Sequence, residues 1–415
     1  MNQMERAIKS NLQWFLQSGV MDPADGSWGV AERILLSEGN EALAKALSDF
    51  DSHTPYDGYY ILEHRRPDCN FEAALLFMLA AKAFNDESYL QVARNLVRYL
   101  HRRNGCRNNT TAEILSGIWG WATPPPCLQY SYWLDDNSWN ATLSLLTAEL
   151  DPRLDEELCL RQKGLESARA LCRYFDCMLR NAEPPAGRPL NGADQAPHFS
   201  ALAVMACAFA WYYSREEDFL EPVSRYLEIV AAGAIHSNVL SKYDDGRQTP
   251  SEHAYLILGL SCCAGTPLEE EAVPLACRSA DLILSIMNPD GSIPSRHFEA
   301  PSGDHLVDLI YTQNWATLGL VNLVAVTGRE EYRKALEKSI GLLLSIQDCS
   351  REPHLAGCWR GMYDLKAGTW GGGDRYEGGA GSIYTGWTNA PISLALLLQA
   401  TGWMLLPGRQ GAGKQ

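Results

Sequence analysis

Residues 71–103 read FEAALLFMLAAKAF, ND and ESYLQVARNLVRYLHRR in three consecutive pieces. In the first and third pieces, apolar residues recur at spacings of three and four, which is the periodicity of an α-helix with a buried face. The pieces are joined by Asn85 and Asp86, polar residues of the kind that end one helix and start the next. The stretch therefore predicts two antiparallel helices connected by a tight turn, which together form a helical hairpin.

The same hairpin pattern recurs four more times along the chain. The paired helices are predicted at 139–150 with 156–179, 198–213 with 217–232, 252–263 with 270–287, and 308–326 with 330–346. Repeated units of this kind bury their apolar faces against their neighbours. Two helices are left over, at 5–17 and 391–405, and they complete a sixth hairpin if the chain ends meet. We therefore expect an all-α fold, in which residues 1–405 form a single domain, a ring of six hairpins, and residues 406–415 form a flexible tail.

The composition excludes several classes of partner. The chain has 35 Lys and Arg residues against 50 Asp and Glu residues, so its formal charge is −15. A negative surface repels phosphate backbones and anionic lipids. The sequence contains no uninterrupted apolar run of about 18 residues, the length needed for a membrane-spanning helix. No secretory signal pattern is visible at the N-terminus. We therefore expect a cytoplasmic protein that binds neither nucleic acid nor membrane.

Cysteine and histidine form no pattern that indicates metal binding or nucleophilic catalysis. The twelve cysteines are scattered, and several lie within apolar helical faces, as expected of buried thiols in a reducing compartment. The sequence has no CxxC pair, no HExxH and no GxSxG, so zinc sites and serine hydrolysis lack support. We expect neither a metal nor a cofactor, and carboxylates are left as the groups that could carry chemistry.

Tryptophan and tyrosine concentrate in and beside the long segments between the hairpins. In a closed ring these segments gather at one face, here called the rim. Aromatic faces stack on sugar rings while carboxylates bind the hydroxyls, so an aromatic and acidic rim indicates a carbohydrate ligand. The alternative is that these rings only anchor the loops to the ring of helices. The aromatic candidates for substrate binding are Trp28, Tyr59, Trp133, Trp139, Trp315, Trp370, Tyr384 and Trp387.

The sharpest motif is YWLDDNSWN at residues 132–140, directly before an apolar helix. Two acids, Asp135 and Asp136, therefore stand at a helix start, where a single one would suffice to cap the helix. The other carboxyl group would lie beside Trp133 and Trp139. Burial against indole raises the pKa of a carboxyl group enough for general-acid catalysis. We expect at least one of the two aspartates to be catalytic.

Three further regions supply acidic candidates. Asp245 lies in an Asp-Gly turn, which is either a plain turn or a ligand contact. Asp308 shares a helical face with Thr312 and Trp315, and it is either catalytic or paired with an arginine.

The third region is glycine-rich and contains Asp374 and Glu377, which suit a sugar-binding or acid/base loop. The alternative for these two acids is an ion pair with Arg375 or Arg360.

The hairpin repeat and the Trp-Leu-Asp-Asp-Asn-Ser-Trp block at 133–139 resemble the six-hairpin glycosidase superfamily, whose members fold as (α/α)6 toroids. The paired aspartates resemble those of endo-acting α-mannanases. An aspartate after tryptophan also resembles unsaturated glucuronyl and rhamnogalacturonyl hydrolases, where it implies an acid that protonates a vinyl ether. N-acylglucosamine epimerases share the toroid but rely on histidine bases, which are poorly positioned in this sequence.

This resemblance implies a glycoside hydrolase that acts on an oligosaccharide. Because no secretory signal is visible, we expect the substrate to be a short fragment already inside the cell, and hence exo-action on its terminal sugar. Asp135 or Asp136 is the expected general acid, and Asp374, Glu377 or Asp308 supplies the base. If the terminal sugar is a uronic acid, an arginine would bind its carboxylate in bidentate fashion. The arginine candidates are Arg65, Arg296, Arg360 and Arg375.

Two alternatives stay open. A polysaccharide lyase or sugar epimerase on the same ring would need a tyrosine or histidine base, and Tyr130, Tyr376 and Tyr384 are candidates. A non-catalytic glycan-binding toroid would show the aromatic side chains without two carboxylates facing one sugar.

Overall fold

The computed structural model describes residues 2–50, 52–109, 116–121, 132–180, 182, 190, 197–232, 249–295, 303–372 and 378–409. Within these ranges helices predominate. They are α1 Gln3–Gln17, α2 Glu41–Ser48, α3 Pro67–Phe84, α4 Glu87–Tyr99, α5 Leu134–Leu150, α6 Pro152–Leu158, α7 Leu160–Leu179, α8 Pro197–Ser214, α9 Leu220–Ala231, α10 Pro250–Ser261, α11 Glu269–Ile286, α12 Gln313–Thr327, α13 Glu330–Ile346 and α14 Ala390–Thr401. The strands are β1 Arg33–Leu36, β2 His53–Tyr56, β3 Tyr59–Leu62, β4 Pro294–Ser295, β5 Gly303–Asp308, β6 Met362–Asp364, β7 Thr369–Trp370 and β8 Ser382–Tyr384.

Six helices form a closed inner ring. In order around the ring they are α3, α5, α8, α10, α12 and α14, each packs on the next, and α14 packs back on α3. An outer helix covers each of them, and these outer helices are α4, α7, α9, α11, α13 and α1. Because α1 packs against α14, the two ends of the chain complete the sixth hairpin. The predicted (α/α)6 toroid is therefore confirmed.

Apolar patterning explains which helix of each hairpin lies inside. The inner helix α14 buries every residue from Ala390 to Leu398, as expected of a helix covered on all sides. The outer helix α4 buries a single stripe that includes Val92, Leu96 and Val97 and leaves its other face to solvent. The inner helices thus fill the space between the ring axis and the outer layer.

Two small sheets, which the helical pattern did not predict, lie in the long segments between hairpins. Their strand orders are β2-β3-β1-β8 and β4-β5-β6-β7, and all their pairings are antiparallel. One consequence is a correction, since Asp308 ends strand β5 and does not begin the inner helix, which starts at Gln313. The carboxylate of Asp308 accepts from the backbone N–H groups of Ile310 and Tyr311 and so closes the turn between strand and helix.

The packed chain continues past the predicted end of the domain at residue 405. Leu405 and Leu406 are both buried, and the N–H of Gly408 donates to Glu149. The predicted tail therefore starts too early at 406, and residues 410–415 lie outside the described ranges. Among the described helices, none combines the length and apolar character that crossing a membrane requires.

Candidate active site

Buried polar side chains gather at the N-terminal ends of the inner helices. Protein interiors rarely contain such groups unless the groups are paired or functional. Each is less than a tenth exposed, and the group comprises Asp68, Glu72, Asp135, Asp136, Glu252, His253, Asn314 and Thr388. Because every inner helix is preceded by a long segment, these ends lie at the predicted rim. We take this cluster as the candidate active site.

Arg66 connects three elements of the site. It precedes Pro67, which opens α3, and a proline is well tolerated at that first helical position. Its guanidinium donates to Asp68 over 2.6 and 3.1 Å and to Asp136 on α5 over 3.0 Å. A fourth bond, of 3.3 Å, reaches Glu32 just before β1. Burial alone would lower the pKa of Arg66, but the surrounding carboxylates raise it, so the guanidinium stays charged.

Trp387 holds two carboxyl groups of α3 from the opposite side. Its backbone N–H donates to Glu72 over 2.8 Å, and its indole N–H donates to Asp68. Its φ is +41°, a conformation that bulky residues rarely adopt and that concentrates at functional sites. The preceding residue, Gly386, has no room for a side chain, since a Cβ there would lie 2.3 Å from Glu72. The backbone at 386–387 is therefore shaped around the carboxyl groups.

A row of hydrogen bonds from Ser52 through His64 holds the carboxylate of Glu32. Nδ1 of His64 donates to Glu32 over 3.2 Å, and Nε2 of His64 lies 2.7 Å from Oγ of Ser52. Burial raises the pKa of Glu32, but Arg33, His64 and Arg66 together outweigh burial and lower it, so Glu32 is a carboxylate. Because Ser52 is only 2% exposed, this row of hydrogen bonds positions Glu32 and does not present a serine nucleophile to solvent.

The site contains more acids than bases. Apart from Glu252, which caps the start of α10, the described part of the site has five carboxyl groups around two guanidiniums. They belong to Glu32, Asp68, Glu72, Asp135 and Asp136 with Arg33 and Arg66. Two ionised carboxylates balance the two arginines, so further ionisation places uncompensated charge in a buried site. Burial accordingly raises the pKa of Asp135 to about 7 and also raises those of Asp136 and Glu72. The site therefore holds protonated carboxyl groups near neutral pH.

Several acceptor atoms of the site have no hydrogen-bond partner. They are Oδ1 of Asp135, Oδ2 of Asp136, Oδ1 of Asn140 and Oγ1 of Thr388, all buried. Asp136 and Asn140 are one helical turn apart and so share a face of α5. Buried polar atoms in native proteins almost always bond to protein, water or ligand. These atoms are therefore candidate contacts for a polar ligand.

Aromatic rings pack together beside the acids. Trp315 makes edge-to-face contacts with Trp139 and Trp387 and a tilted contact with Tyr255, at centroid distances of 5.1 to 5.6 Å. All four rings are buried. Three predicted substrate-binding residues, Trp139, Trp315 and Trp387, are thus brought together, but as packing beside the carboxyl groups and not as exposed stacking faces. Burial, followed by the charges of Asp135 and Glu72, raises the pKa of Tyr255.

Other predicted aromatic residues lie away from this cluster. Trp28 is 57% exposed beneath the guanidinium of Arg103. Tyr59 stacks between Tyr56 and His354 on the β2–β3 hairpin.

The remaining predicted aromatics are engaged locally. Trp133 is half-buried at the start of α5, and its carbonyl oxygen accepts from Asn137. Trp370 packs edge-to-face on Tyr363. The hydroxyl of Tyr384 accepts from Arg33.

The predicted carboxylate-binding arginines are already paired where the structure describes them. Arg360 donates to Asp348 over 2.7 Å, and Arg65 lies 2.7 Å from a carboxylate oxygen of Glu63. Asp308 is buried, with Thr312 also donating to it. The other predicted residues lie outside the described ranges, and they are Asp245, Asp374 and Glu377 with Arg296 and Arg375, together with Tyr130 and Tyr376.

Sequence reasoning missed the contribution of α3. The apolar pattern starts at Phe71, so Arg66, Asp68 and Glu72 escaped attention. The available signal was the proline at residue 67, a common first residue of a helix, followed by acids four residues apart that share a helical face. Similarly, Pro250 precedes Glu252 and His253 at the start of α10.

Comparison with known proteins shows which solved structures share this fold. No protein-family model matches the chain, and no curated protein sequence matches it. Among solved structures, the unsaturated glucuronyl hydrolase of Bacillus sp. GL1 superposes with a TM-score of 0.59 at 16% identity, covering 96% of this chain and 97% of its own. The cellobiose 2-epimerase of Bacillus thermoamylovorans gives a TM-score of 0.59 at 13% identity, with coverages of 86% and 95%. The GH76A α-1,6-mannanase of a Salegentibacter species gives 0.55 at 13% identity, with coverages of 96% and 99%.

These three enzymes process carbohydrates by different reactions on one architecture. At such identities the likeness concerns the fold, and the chemistry has to be argued from the side chains. The expected fold is confirmed: this chain has the (α/α)6 toroid fold of these three structures.

Proposed function

We propose that the protein is a glycoside hydrolase that cleaves a short oligosaccharide by carboxylate acid/base catalysis. This proposal rests on the environment of the Asp135 carboxyl group. Its carboxyl group is buried at the rim, one of its oxygens has no partner, and burial raises its pKa to about 7. A general acid needs such a pKa, because the group must be protonated at working pH and still release its proton readily.

Asp136 is the proposed partner of Asp135. Its Oδ1 is held by Arg66, while its Oδ2 is unpartnered. Asp135 donates its proton to the glycosidic oxygen as the bond from that oxygen to the anomeric carbon breaks. A water molecule attacks the anomeric carbon, and Asp136 takes the proton that the water loses. Burial raises the pKa of both aspartates, but the two carboxyl groups share one buried site and titrate as a pair. We place the proton that the pair retains near neutral pH on Asp135, because the bound guanidinium of Arg66 favours the ionised form of Asp136.

The aromatic packing supports action on a terminal sugar. Trp139, Trp315 and Trp387 fill the ring interior beside the carboxyl groups, which favours a pocket over an open channel through the ring. A terminal uronic acid would require an unengaged guanidinium. Arg66 is already bonded to three acids, and Arg33 donates to Ser382 and Tyr384, so that option depends on Arg296 or Arg375.

A sugar epimerase is the second candidate, and a histidine near the start of an inner helix supports it. His253 lies in the first turn of α10 and is buried, contrary to the expectation that the histidines are poorly positioned. An epimerase would use such a base to move a proton at the carbon beside the anomeric centre. The cellobiose 2-epimerase among the similar structures gives this candidate the same scaffold.

A substrate screen tests both candidates. Disaccharides and short oligosaccharides are incubated with the protein, and products are separated by anion-exchange chromatography. The hydrolase proposal expects new reducing ends, whereas an epimerase yields an isomer of equal mass. Asp135→Asn is expected to reduce hydrolysis by at least about a hundredfold, while Glu87→Gln, on the exposed start of α4, leaves it unchanged. Full hydrolysis by a folded Asp135→Asn variant would refute the assignment.

A further inference from the structure

The segment that precedes α5 brings a further tryptophan, Trp121, to the acids of the site. Two residues before it, the backbone N–H of Trp119 donates to Oδ1 of Asn137 over 2.7 Å, and Nδ2 of Asn137 donates to the carbonyl oxygen of Trp119 over 3.0 Å. Asn137 follows Asp136 in the first turn of α5. The backbone that leads to Trp121 is therefore fixed to the helix that carries both aspartates.

The indole of Trp121 packs on two side chains of the site. The guanidinium carbon of Arg66 lies over the ring, 5.4 Å from its centre, and the ring of His64 packs edge-to-face on it at 5.5 Å. Arg66 in turn donates to Oδ1 of Asp136 over 3.0 Å. These distances and the length of one C–N bond place the indole centre within about 10 Å of that oxygen. The ring is therefore close enough to contact a sugar bound at the aspartates or the sugar unit linked to it.

Trp121 differs in exposure from the tryptophans inside the ring. Trp139, Trp315 and Trp387 are at most 6% exposed, whereas Trp121 is half-buried. Arg66 contacts both kinds of indole, since its guanidinium carbon also lies 5.6 Å from the ring centre of Trp387. Arg66 therefore marks the boundary between the closed interior and the solvent-facing side of the site, and Trp121 lies on the solvent-facing side.

We propose that Trp121 is a substrate-binding residue that stacks on the second sugar unit, the one that leaves when the glycosidic bond breaks. This inference rests on the proposed function and adds that the substrate has at least two sugar units. Because buried indoles close the interior, the rest of a substrate whose terminal sugar is bound at the aspartates extends toward solvent, where Trp121 lies. There its aromatic face packs on the C–H groups of a pyranose ring.

A purely structural role for Trp121 is the alternative. In that role the ring only shields the guanidinium of Arg66 from water, which needs apolar cover but no aromatic face, so leucine would fulfil it. Stacking on a sugar needs an aromatic face, which phenylalanine retains and leucine lacks. The two roles therefore make opposite predictions for Trp121→Leu.

The first test is isothermal titration of the full chain carrying Asp135→Asn, which prevents turnover. The probes are matched pairs, namely glucose with cellobiose, glucose with maltose, and mannose with α-1,6-mannobiose. We expect the disaccharide of at least one pair to bind at least about tenfold more tightly than its monosaccharide. Trp121→Leu should remove this advantage, and Trp121→Phe should keep most of it. An advantage that persists in Trp121→Leu, or the absence of an advantage in every pair, would overturn the inference.

Trp211→Leu is the matched control. The ring of Trp211 also lies under a guanidinium, that of Arg215 at 4.4 Å. It stands near the C-terminal end of the inner helix α8, at the face opposite the rim. Its replacement should leave the disaccharide advantage unchanged. Equal losses in Trp211→Leu and Trp121→Leu would assign the effect to the fold and overturn the inference.

Kinetics separate this inference from the proposed function. For a disaccharide that the parent chain cleaves, Trp121→Leu should raise KM at least about tenfold and leave kcat and its pH profile unchanged, as expected when ground state and transition state lose the same contact. Cleavage with an unchanged KM in Trp121→Leu sinks this inference alone, as does a shifted pH profile at constant KM, which would show the shielding role. A Trp121-dependent disaccharide advantage without cleavage of any glycoside sinks only the hydrolase proposal.

Discussion

The guanidinium of Arg66, at the start of α3, donates to Asp136, in the first turn of α5, over 3.0 Å inside the protein. This bond joins two inner helices at the rim and sets where one oxygen of Asp136 lies. Because the same guanidinium bonds Asp68 and Glu32, its removal would leave three carboxyl groups without their common cation. The stability of the toroid and the arrangement of the site are therefore linked through one side chain.

We expect Arg66→Met to destabilise the fold by about 3–5 kcal/mol, the usual cost of breaking a buried ion pair from one side. The measurement is the free energy of unfolding in urea. Arg98→Met is the control, because Arg98 pairs with Glu157 at the surface, where such pairs contribute less than about 1 kcal/mol. Similar losses for the two variants would contradict the buried network.

Trp387→Phe tests the positioning of Asp68. The change keeps an aromatic ring next to Trp315 and removes the indole donor to Asp68. We expect kcat to fall at least about tenfold, with a stability loss of only about 1–2 kcal/mol, as for one buried hydrogen bond. Steady-state kinetics on the substrate identified by the screen provide the measurement. The control is Trp370→Phe, at the contact with Tyr363, which should change neither kcat nor KM. An unchanged kcat in Trp387→Phe would show that the indole does not position Asp68 for catalysis.

The pKa of Asp135 predicts how activity and stability depend on pH. Its folded-state pKa of about 7 exceeds its ordinary value of 3.8, so the folded state favours the protonated form. The protonated Asp135 therefore contributes favourably to the free energy of unfolding. This contribution is complete at pH values below the ordinary pKa of 3.8 and is lost as the pH rises through about 7. Activity that needs the protonated acid falls over the same upper range.

Asp135→Asn removes this dependence, since the amide does not ionise. The variant should gain stability relative to the parent chain between about pH 4 and pH 7, by an amount on the order of 4 kcal/mol for a shift of about three units. Urea unfolding at several pH values measures the difference. A constant difference across that range would show that Asp135 is not protonated in the folded protein.

Gly386→Ala tests the close approach of the backbone to α3. A Cβ at residue 386 would lie 2.3 Å from Glu72 and 2.8 Å from Cys69, so we expect a loss of about 1–3 kcal/mol from overpacking. The control is Gly341→Ala in α13, where a Cβ meets no atom within 4 Å. An exposed helical glycine replaced by alanine should gain about 1 kcal/mol. Thermal unfolding of both variants should therefore shift in opposite directions.

Part of the site was accessible from the sequence because its signal is local. Asp135 and Asp136 stand directly before the apolar run of α5, and a helix start with two acids is visible in nine residues. The start of α3 was predicted too late. The helix begins at Pro67, whereas its apolar pattern begins only at Phe71, so Asp68 was placed before the helix and Glu72 was not recognised as part of the site. For Asp308 the predicted helix was wrong. Its spacing to Thr312 and Trp315 fits one face of a helix, but Asp308 ends a strand and is followed by a turn.

The six hairpins were predictable from the sequence, because helical periodicity acts over three or four residues and five of the hairpins need only a short turn. The closure of the ring was predicted on the condition that the two chain ends meet, and the packing of α1 on α14 fulfils it. Which acids share the candidate site depends on the tertiary structure. The bonds that assemble it join Arg66 to Asp136, 70 residues apart, and Trp387 to Asp68, 319 residues apart. No local pattern encodes such distances, since these groups meet only when the ring closes and burial concentrates their charges in one place.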